Sequence, residues 1–172
     1  MENAVGSPSY FFWLGVLLAG RGADLLSTRL ATPRLVLEAN PIARKLGWRW
    51  GTLVNVLLCV LFAGWLLPAI IVTTTSLLVA AHNLRNAWLM RTMGEQAYGL
   101  WMGERLRETP LSLFLLCLFG EALFTAAVGV AVVALSGDNV ALLGVGMGIV
   151  GYTIALLLYT LISVWRRRRR AG

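Results

Sequence analysis

Five long apolar runs set the main constraint on what this chain can fold into. They cover about residues 9–30, 51–67, 69–90, 111–135 and 140–165. Each run approaches or exceeds the roughly 20 residues that an α-helix needs to cross about 30 Å of hydrocarbon. The chain has 172 residues, of which 58% are hydrophobic and 13% charged, and one soluble core could not bury so much apolar surface. The pattern predicts an all-α, polytopic transmembrane bundle of about five spans, forming a single domain over residues 1–172.

Basic residues are unevenly distributed among the segments that join these runs. The segments after the first, third and fifth runs hold arginines, whereas the N-terminus, the turn near Pro68 and the turn at 136–139 contain no Lys or Arg. Because basic segments stay in the cytoplasm, we predict a multi-pass protein of the cytoplasmic (inner) membrane with its N-terminus outside. Residues 166–172 then form a basic cytoplasmic tail that can meet anionic lipid head groups. Arginines that flank apolar runs argue against a nucleic-acid partner.

Local signals predict where helices begin. Ser7-Pro8 and Asn40-Pro41 each combine an N-cap residue with a proline at the first helical position, so we expect a helix to start at each. The segment between the third and fourth runs mixes aromatic and charged residues. This composition predicts a short interfacial helix on the membrane surface.

Small residues predict which helices pack closely. Gly144 and Gly148 on the fifth span, and Ala127 and Ala131 on the fourth, form small-xxx-small pairs, and a short turn connects the two spans. We therefore expect these spans to be antiparallel neighbours. The two cysteines lie within apolar runs, without metal-ligand spacing, and are expected to be buried.

Polar and ionisable residues interrupt several of the apolar runs. A charged residue at the centre of a membrane helix costs about 2.5–3.5 kcal/mol on insertion scales, so such residues need partners and mark candidate sites. In the predicted topology they share a level near the cytoplasmic leaflet: Arg21, Asp24, Glu38, Asn40, His82, Arg85, Asn86 and Glu121. This common depth predicts one polar pocket.

Three interpretations of the pocket follow. In the structural one, Arg21 and Arg85 neutralise the acidic groups, and Asn40 caps a helix. In the second, a divalent metal is bound by three carboxylates and one imidazole: Asp24, Glu38, His82 and Glu121. In the third, Asp24, Glu38 and His82 are catalytic acid–base groups. The residues that bind an anionic substrate are then Arg21, Arg85, Asn86 and Asn40.

These interpretations correspond to two classes of function, and whether the chain is an enzyme stays open. The first class is a membrane-embedded hydrolase or transferase, metal-dependent in one version, that acts on a lipid-embedded or membrane-presented substrate. The second is a non-enzymatic accessory or assembly subunit, or a small transporter, in which the polar cluster is structural. The outer halves of the spans are almost purely apolar, which disfavours a transport path through both leaflets.

One short motif resembles a known family. Asp24-Leu25-Leu26-Ser27-Thr28, followed by Glu38-Ala39-Asn40-Pro41-Ile42-Ala43, is similar to a family of small bacterial and archaeal membrane proteins catalogued only as a domain of unknown function. Its hallmark is an acidic residue and a Ser or Thr late in the first helix, then a Glu-x-Asn-Pro element. The resemblance covers about residues 15–90. It implies a small membrane protein and transfers no activity.

Overall fold

The computed structural model describes residues 3–169, with side chains as far as Arg166. Over that range the chain forms six helices: α1 (Pro8–Ala31), α2 (Pro41–Phe62), α3 (Leu66–Met93), α4 (Glu95–Glu108), α5 (Leu111–Ala134) and α6 (Val140–Arg169). The prediction of an all-α fold is confirmed. The predicted basic tail lies mostly outside the side chains described, and residues 170–172 lie outside the described residues.

Four of these helices are long and apolar enough to cross a membrane, namely α2, α3, α5 and α6. The protein is therefore a multi-pass integral membrane protein. The helix α1, which was predicted as the first of five spans, is 24 residues long but is not among the four. Its Arg21 and Asp24 lower its hydropathy, because charged groups weigh heavily against the apolar residues around them.

The predicted helix starts are confirmed. Ser7 caps α1, and its side-chain oxygen accepts a hydrogen bond from the Tyr10 backbone N–H. Asn40 caps α2 and accepts hydrogen bonds from the N–H groups of Ile42 and Ala43. The connection expected at Pro68 lies earlier, at residues 63–65. Pro68 itself belongs to the first turn of α3, where the missing N–H breaks no helical hydrogen bond.

The parallel helices α1 and α3 form the centre of the bundle. Gly20 of α1 lies against Thr73 of α3, and the Asn83 side chain donates to the Thr28 hydroxyl 3.0 Å away. Residues later in α1 thus contact residues later in α3, as in a parallel pair. The helix α6 packs on α3, and α5 packs on α6. The helix α2 is held more loosely beside α1, and Cys59 is its one buried residue.

Glycines on two sides of α6 permit its close packing. A Cβ on Gly144 would lie 2.8 Å from Ile70 of α3, and one on Gly146 would lie 2.8 Å from the Gly129 carbonyl oxygen of α5. The prediction that α5 and α6 are neighbours is thus confirmed, but the residues differ. Gly144 and Gly148 face α3, whereas Ala127 and Ala131 are exposed on the outer surface of α5.

The two cysteines have different surroundings. Cys59 is buried in a cluster with Tyr10, Leu17 and Ala63, as expected. Cys117 is exposed, which contradicts the expectation that both thiols are buried. The reason is that α5 packs along one side only, so an apolar run in the sequence does not show which of its residues face lipid.

A kink at Gly47 divides α2 into a short first segment and a longer second segment. The Gly47 backbone has φ 67° and ψ −173°, a conformation that side chains with a Cβ rarely adopt. We expect Gly47→Ala to lower the free energy of unfolding by about 1–2 kcal/mol. Gly51→Ala in the same helix is the matched control, because a Cβ there meets nothing within 4 Å. Denaturant unfolding in detergent micelles measures both, and equal effects would contradict the assigned kink.

Candidate functional site

The central cavity is a space of about 470 Å³ bounded by α1, the 32–40 loop, α2, α3 and α6. Its volume lies within the roughly 300–1,000 Å³ typical of small-molecule sites. Polar side chains that line it include Arg21, Asp24, Thr28, Glu38, Asn40, Thr52, Thr75, His82, Asn83 and Asn86. Apolar and aromatic residues line the rest, among them Leu25, Leu35, Trp48, Val79, Tyr152, Leu156 and Tyr159. The cavity therefore combines a polar group of side chains with apolar walls.

A hydrogen-bonded network is centred on Arg21, which lines the central cavity together with Asp24. The Arg21 guanidinium forms an ion pair with Asp24 at 2.9 Å and donates to the Ser76 hydroxyl at 3.2 Å. Its Nε also donates to the Asn55 side-chain oxygen at 2.8 Å, and its Nη2 donates to the same oxygen. Asn55 in turn donates to the Gly51 carbonyl. This network joins α1, α2 and α3 and uses most of the donors of Arg21.

The Glu-x-Asn-Pro element contributes Glu38, Ala39 and Asn40 to the lining of the central cavity. The Glu38 carboxylate accepts a hydrogen bond from the Asn40 N–H at 2.8 Å, while the Asn40 side chain caps α2. Burial raises the pKa of the Glu38 carboxyl above its ordinary value, and the nearby Asp24 charge raises this pKa further. The hydrogen bond from the Asn40 N–H and the Arg44 charge lower the pKa, but by less in total than burial and Asp24 raise it. Glu38 and Asn40 thus have structural partners while their side chains also line the cavity.

Glu95, the first residue of α4, holds the 32–40 loop in place. Its carboxylate accepts hydrogen bonds from the Thr32 hydroxyl at 2.8 Å, the Arg34 N–H at 2.8 Å and the Val36 N–H at 3.1 Å. Gly99, on the next turn of α4, lies against Leu37 of the loop. The sequence predicted a short interfacial helix here, and the structure has a helix, α4, in that place; its first residue fixes the loop that carries Glu38.

The same loop separates the central cavity from a second one. This second cavity has a volume of about 460 Å³ and lies among the loop, α4 and the end of α6. Leu37, Glu38 and Ala39 line both cavities, so a few residues of loop form the wall between them. Movement of the loop would therefore change both cavities together.

Asn83 and His82 bring α3 to the central cavity. The Asn83 amide donates to the Ser27 hydroxyl at 3.2 Å and the Thr28 hydroxyl at 3.0 Å, which fixes α3 against α1. The His82 ring lies edge-on to the Tyr152 ring of α6, with the ring centroids 6.4 Å apart. These contacts hold α3 against α1 and α6 beside the cavity.

The structure brings six of the eight predicted site residues to one cavity. They are Arg21, Asp24, Glu38, Asn40, His82 and Asn86. The other two, Arg85 and Glu121, are absent from its lining; they lie 3.9 Å apart with side chains that are 72% and 45% exposed. The predicted pair of anion-binding arginines is therefore divided, since Arg21 lines the cavity and Arg85 does not.

The predicted metal group finds no support in this arrangement. Within the described part of the chain, no three His, Cys, Asp or Glu side chains come together in a way that could hold a metal ion. Of the four proposed ligands, Asp24 is paired with Arg21, Glu38 is hydrogen-bonded to its own loop, and Glu121 is paired with Arg85. Asp24, Glu38 and His82 line the same cavity, but their hydrogen-bond and ion-pair partners are other residues, and Glu121 lies outside it.

Sequence reasoning missed Glu95 and the aromatic wall of α6. Glu95 follows Gly94 at the start of a helix, which is a favourable place for an acidic group and was the available signal. Tyr152 and Tyr159 carry no such signal, because tyrosines in membrane helices serve widely as interface anchors and do not by themselves indicate a site. Comparisons with protein-family models, with curated proteins and with solved structures find no match to this chain.

We expect the Glu95 contact to weaken in acid. Burial alone would raise the pKa of Glu95, but the hydrogen bonds from Arg34, Thr32 and Val36, together with the Arg34 charge, lower it below the ordinary 4.5. A carboxyl whose pKa is lower in the folded chain than in the unfolded chain stabilises the fold at any pH above the unfolded-state pKa. That stabilisation is lost as the pH falls through the lowered, folded-state pKa. Amide exchange at Arg34 and Val36, corrected for intrinsic rates, should rise below pH 4.5.

The variant Glu95→Ala should show the same loosening at neutral pH, with exchange at these two amides at least about tenfold faster. Glu104→Ala on the same helix is the control, since Glu104 is not among the partners of the loop amides. Exchange that is equally fast in both variants would contradict the role of Glu95.

Proposed function

We propose that this membrane protein binds the polar end of a membrane-embedded amphiphile in its central cavity. The observation that carries the proposal is the composition of the cavity wall, in which Asp24, Glu38 and His82 share one space with Leu25, Val79 and Leu156. A head group would meet the polar side chains while its apolar portion contacts the apolar walls. A lipid fits this pattern better than a fully polar solute.

The helix α2 offers a route of entry from the bilayer. Cys59 is its one buried residue, so few contacts would be broken if the helix moved away from α1. The kink at Gly47, which lines the cavity, divides α2 where such a movement would begin. We place lateral access between α2 and α6, because residues of both helices line the cavity.

The topology belongs to the same proposal. In five-span form, α1 crosses the membrane with its N-terminus outside and the 32–40 loop at the cytoplasmic surface. Its 24 residues span about 36 Å at 1.5 Å per residue, and it runs beside α3, which is itself long enough to span. The ion pair with Asp24 reduces the cost of placing Arg21 in the membrane. The cavity then opens near the inner leaflet.

A hydrolase or transferase acting on the bound lipid is a second candidate. It is favoured by one observation, that Asp24, Glu38 and His82 line the same cavity and are the groups that acid–base chemistry uses. Binding and turnover are separable. Glu38→Gln keeps the shape of the side chain and would abolish turnover while retaining lipid binding, if Glu38 is an acid–base group.

Lipid binding is tested by thermal unfolding of the purified protein in micelles, titrated with short-chain phosphatidylglycerol or phosphatidylethanolamine. A saturable rise in Tm is expected, because a ligand that binds only the folded state stabilises it. Ala155→Phe, which fills the cavity from α6, should abolish the rise. Leu158→Phe on the exposed face of the same helix should leave it intact. The same rise in Tm for both variants would contradict binding in the cavity.

A further inference from the structure

Arg85 and Glu121 form an ion pair on the outer surface of the bundle, apart from the central cavity. The Arg85 Nη1 and the Glu121 Oε1 lie 3.9 Å apart, and the two side chains are 72% and 45% exposed. Glu121 is near the middle of α5, a helix that is long and apolar enough to span the membrane. Charged groups at that depth are covered by protein or line a cavity, and are not left facing lipid. This pair therefore requires a cover.

The surface around Glu121 is suited to close contact with another helix. Cys117, Phe124, Val128 and Ala131 lie with Glu121 along one exposed face of α5, at spacings of three, four and seven residues. Beside this face, a Cβ on Gly120 would meet nothing within 4 Å, and Ala127 is exposed. Small residues on a membrane helix allow a second helix to approach closely. We call this surface the α5 face.

We propose that a second copy of this chain docks on the α5 face and forms a two-fold symmetric dimer. The charges of this surface are complementary to those of a second copy. One surface presents both a cation and an anion, so a two-fold axis along the membrane normal places Arg85 of each copy near Glu121 of the other. The dimer covers both charges and brings the small residues of the two α5 helices together. This inference is independent of lipid binding in the central cavity.

Cys117 provides a direct probe, because it lies on the α5 face whereas Cys59 is buried. Membranes containing the full chain are treated with a mild oxidant or a short bis-maleimide and examined by non-reducing electrophoresis. We expect a product of twice the 18.8 kDa chain mass, absent from Cys117→Ser. The control is Leu57→Cys in the Cys117→Ser background, which places a thiol on an exposed face of α2 and should give no dimer.

The ion pair is tested by charge changes. Glu121→Gln should weaken association about three- to tenfold, as expected for a polar contact between membrane helices. The exchange of Arg85→Glu with Glu121→Arg should restore it, because the pair reforms with its signs reversed. Monomers by mass measurement in nanodiscs, equal crosslinking from the α2 position, or a Cys117 product of another mass would each overturn the proposal.

Discussion

Replacing Arg21 with leucine should lower the free energy of unfolding by about 3–5 kcal/mol, the largest effect of any single change considered for this chain. The substitution leaves the Asp24 carboxylate without its cation, and the Asp24 side chain is only 15% exposed. It also removes the donors to Asn55 and Ser76, so α1 loses polar contacts with α2 and α3 at once. Breaking one partner of a buried pair is costly because the remaining charge stays desolvated.

Arg105→Leu is the matched control for this experiment. Arg105 forms an ion pair with Glu108 at 2.7 Å, but both side chains are 53% exposed, and such surface pairs contribute about 0–1 kcal/mol. The double variant Arg21→Leu with Asp24→Leu should recover part of the lost stability, since no unpaired charge remains. Unfolding in micelles measures all three variants. An Arg21→Leu effect no larger than that of Arg105→Leu would contradict the importance of the network.

Gly146→Leu should separate α5 from α6, at a cost of about 3 kcal/mol. A Cβ at this position would lie 2.7 Å from the Val133 side chain, 2.8 Å from the Gly129 carbonyl oxygen and 2.8 Å from the Val133 amide nitrogen. Two of these atoms belong to the backbone, so the contact cannot be relieved by a change of rotamer. The helices themselves must move apart, and the packing along α6 is lost with them.

Gly15→Leu is the control for this substitution, because a Cβ on Gly15 meets nothing within 4 Å and the residue is exposed on α1. It should change the free energy of unfolding by no more than about 0.5 kcal/mol. Both variants are compared by denaturant unfolding in the same micelles. A Gly146→Leu protein as stable as the Gly15→Leu protein would show that the α5–α6 contact is looser than described.

Features set by local chemistry were predictable from the sequence. Ser7 and Asn40 cap their helices because a short polar side chain before a proline satisfies the first free N–H groups. Asp24, Glu38 and His82 line one cavity because α1 and α3 are adjacent and the loop that carries Glu38 follows α1 directly. Helix capping depends only on neighbours in sequence. The shared cavity also depends on which helices are adjacent, and charge distribution alone does not specify that.

The sequence did not predict which neighbour each side of a helix contacts. Arg85 is three residues from His82, yet it lies with Glu121 outside the cavity while His82 lines it. Gly146, between the predicted pair Gly144 and Gly148, is the residue that contacts α5. An apolar helix shows little difference between its faces in lipid, so its sequence gives few indications of which side meets protein.

Binding of a lipid in the central cavity can be tested by photocrosslinking with a phospholipid that carries a diazirine next to its head group. After irradiation in membranes, peptide mass spectrometry locates the labelled residues. We expect labelling at the cavity walls, on α2 near Trp48 and Thr52 and on α6 near Leu156 and Tyr159, and loss of that labelling in Ala155→Phe. Label confined to outward residues such as Leu116 and Leu123 of α5, unchanged in Ala155→Phe, would contradict it.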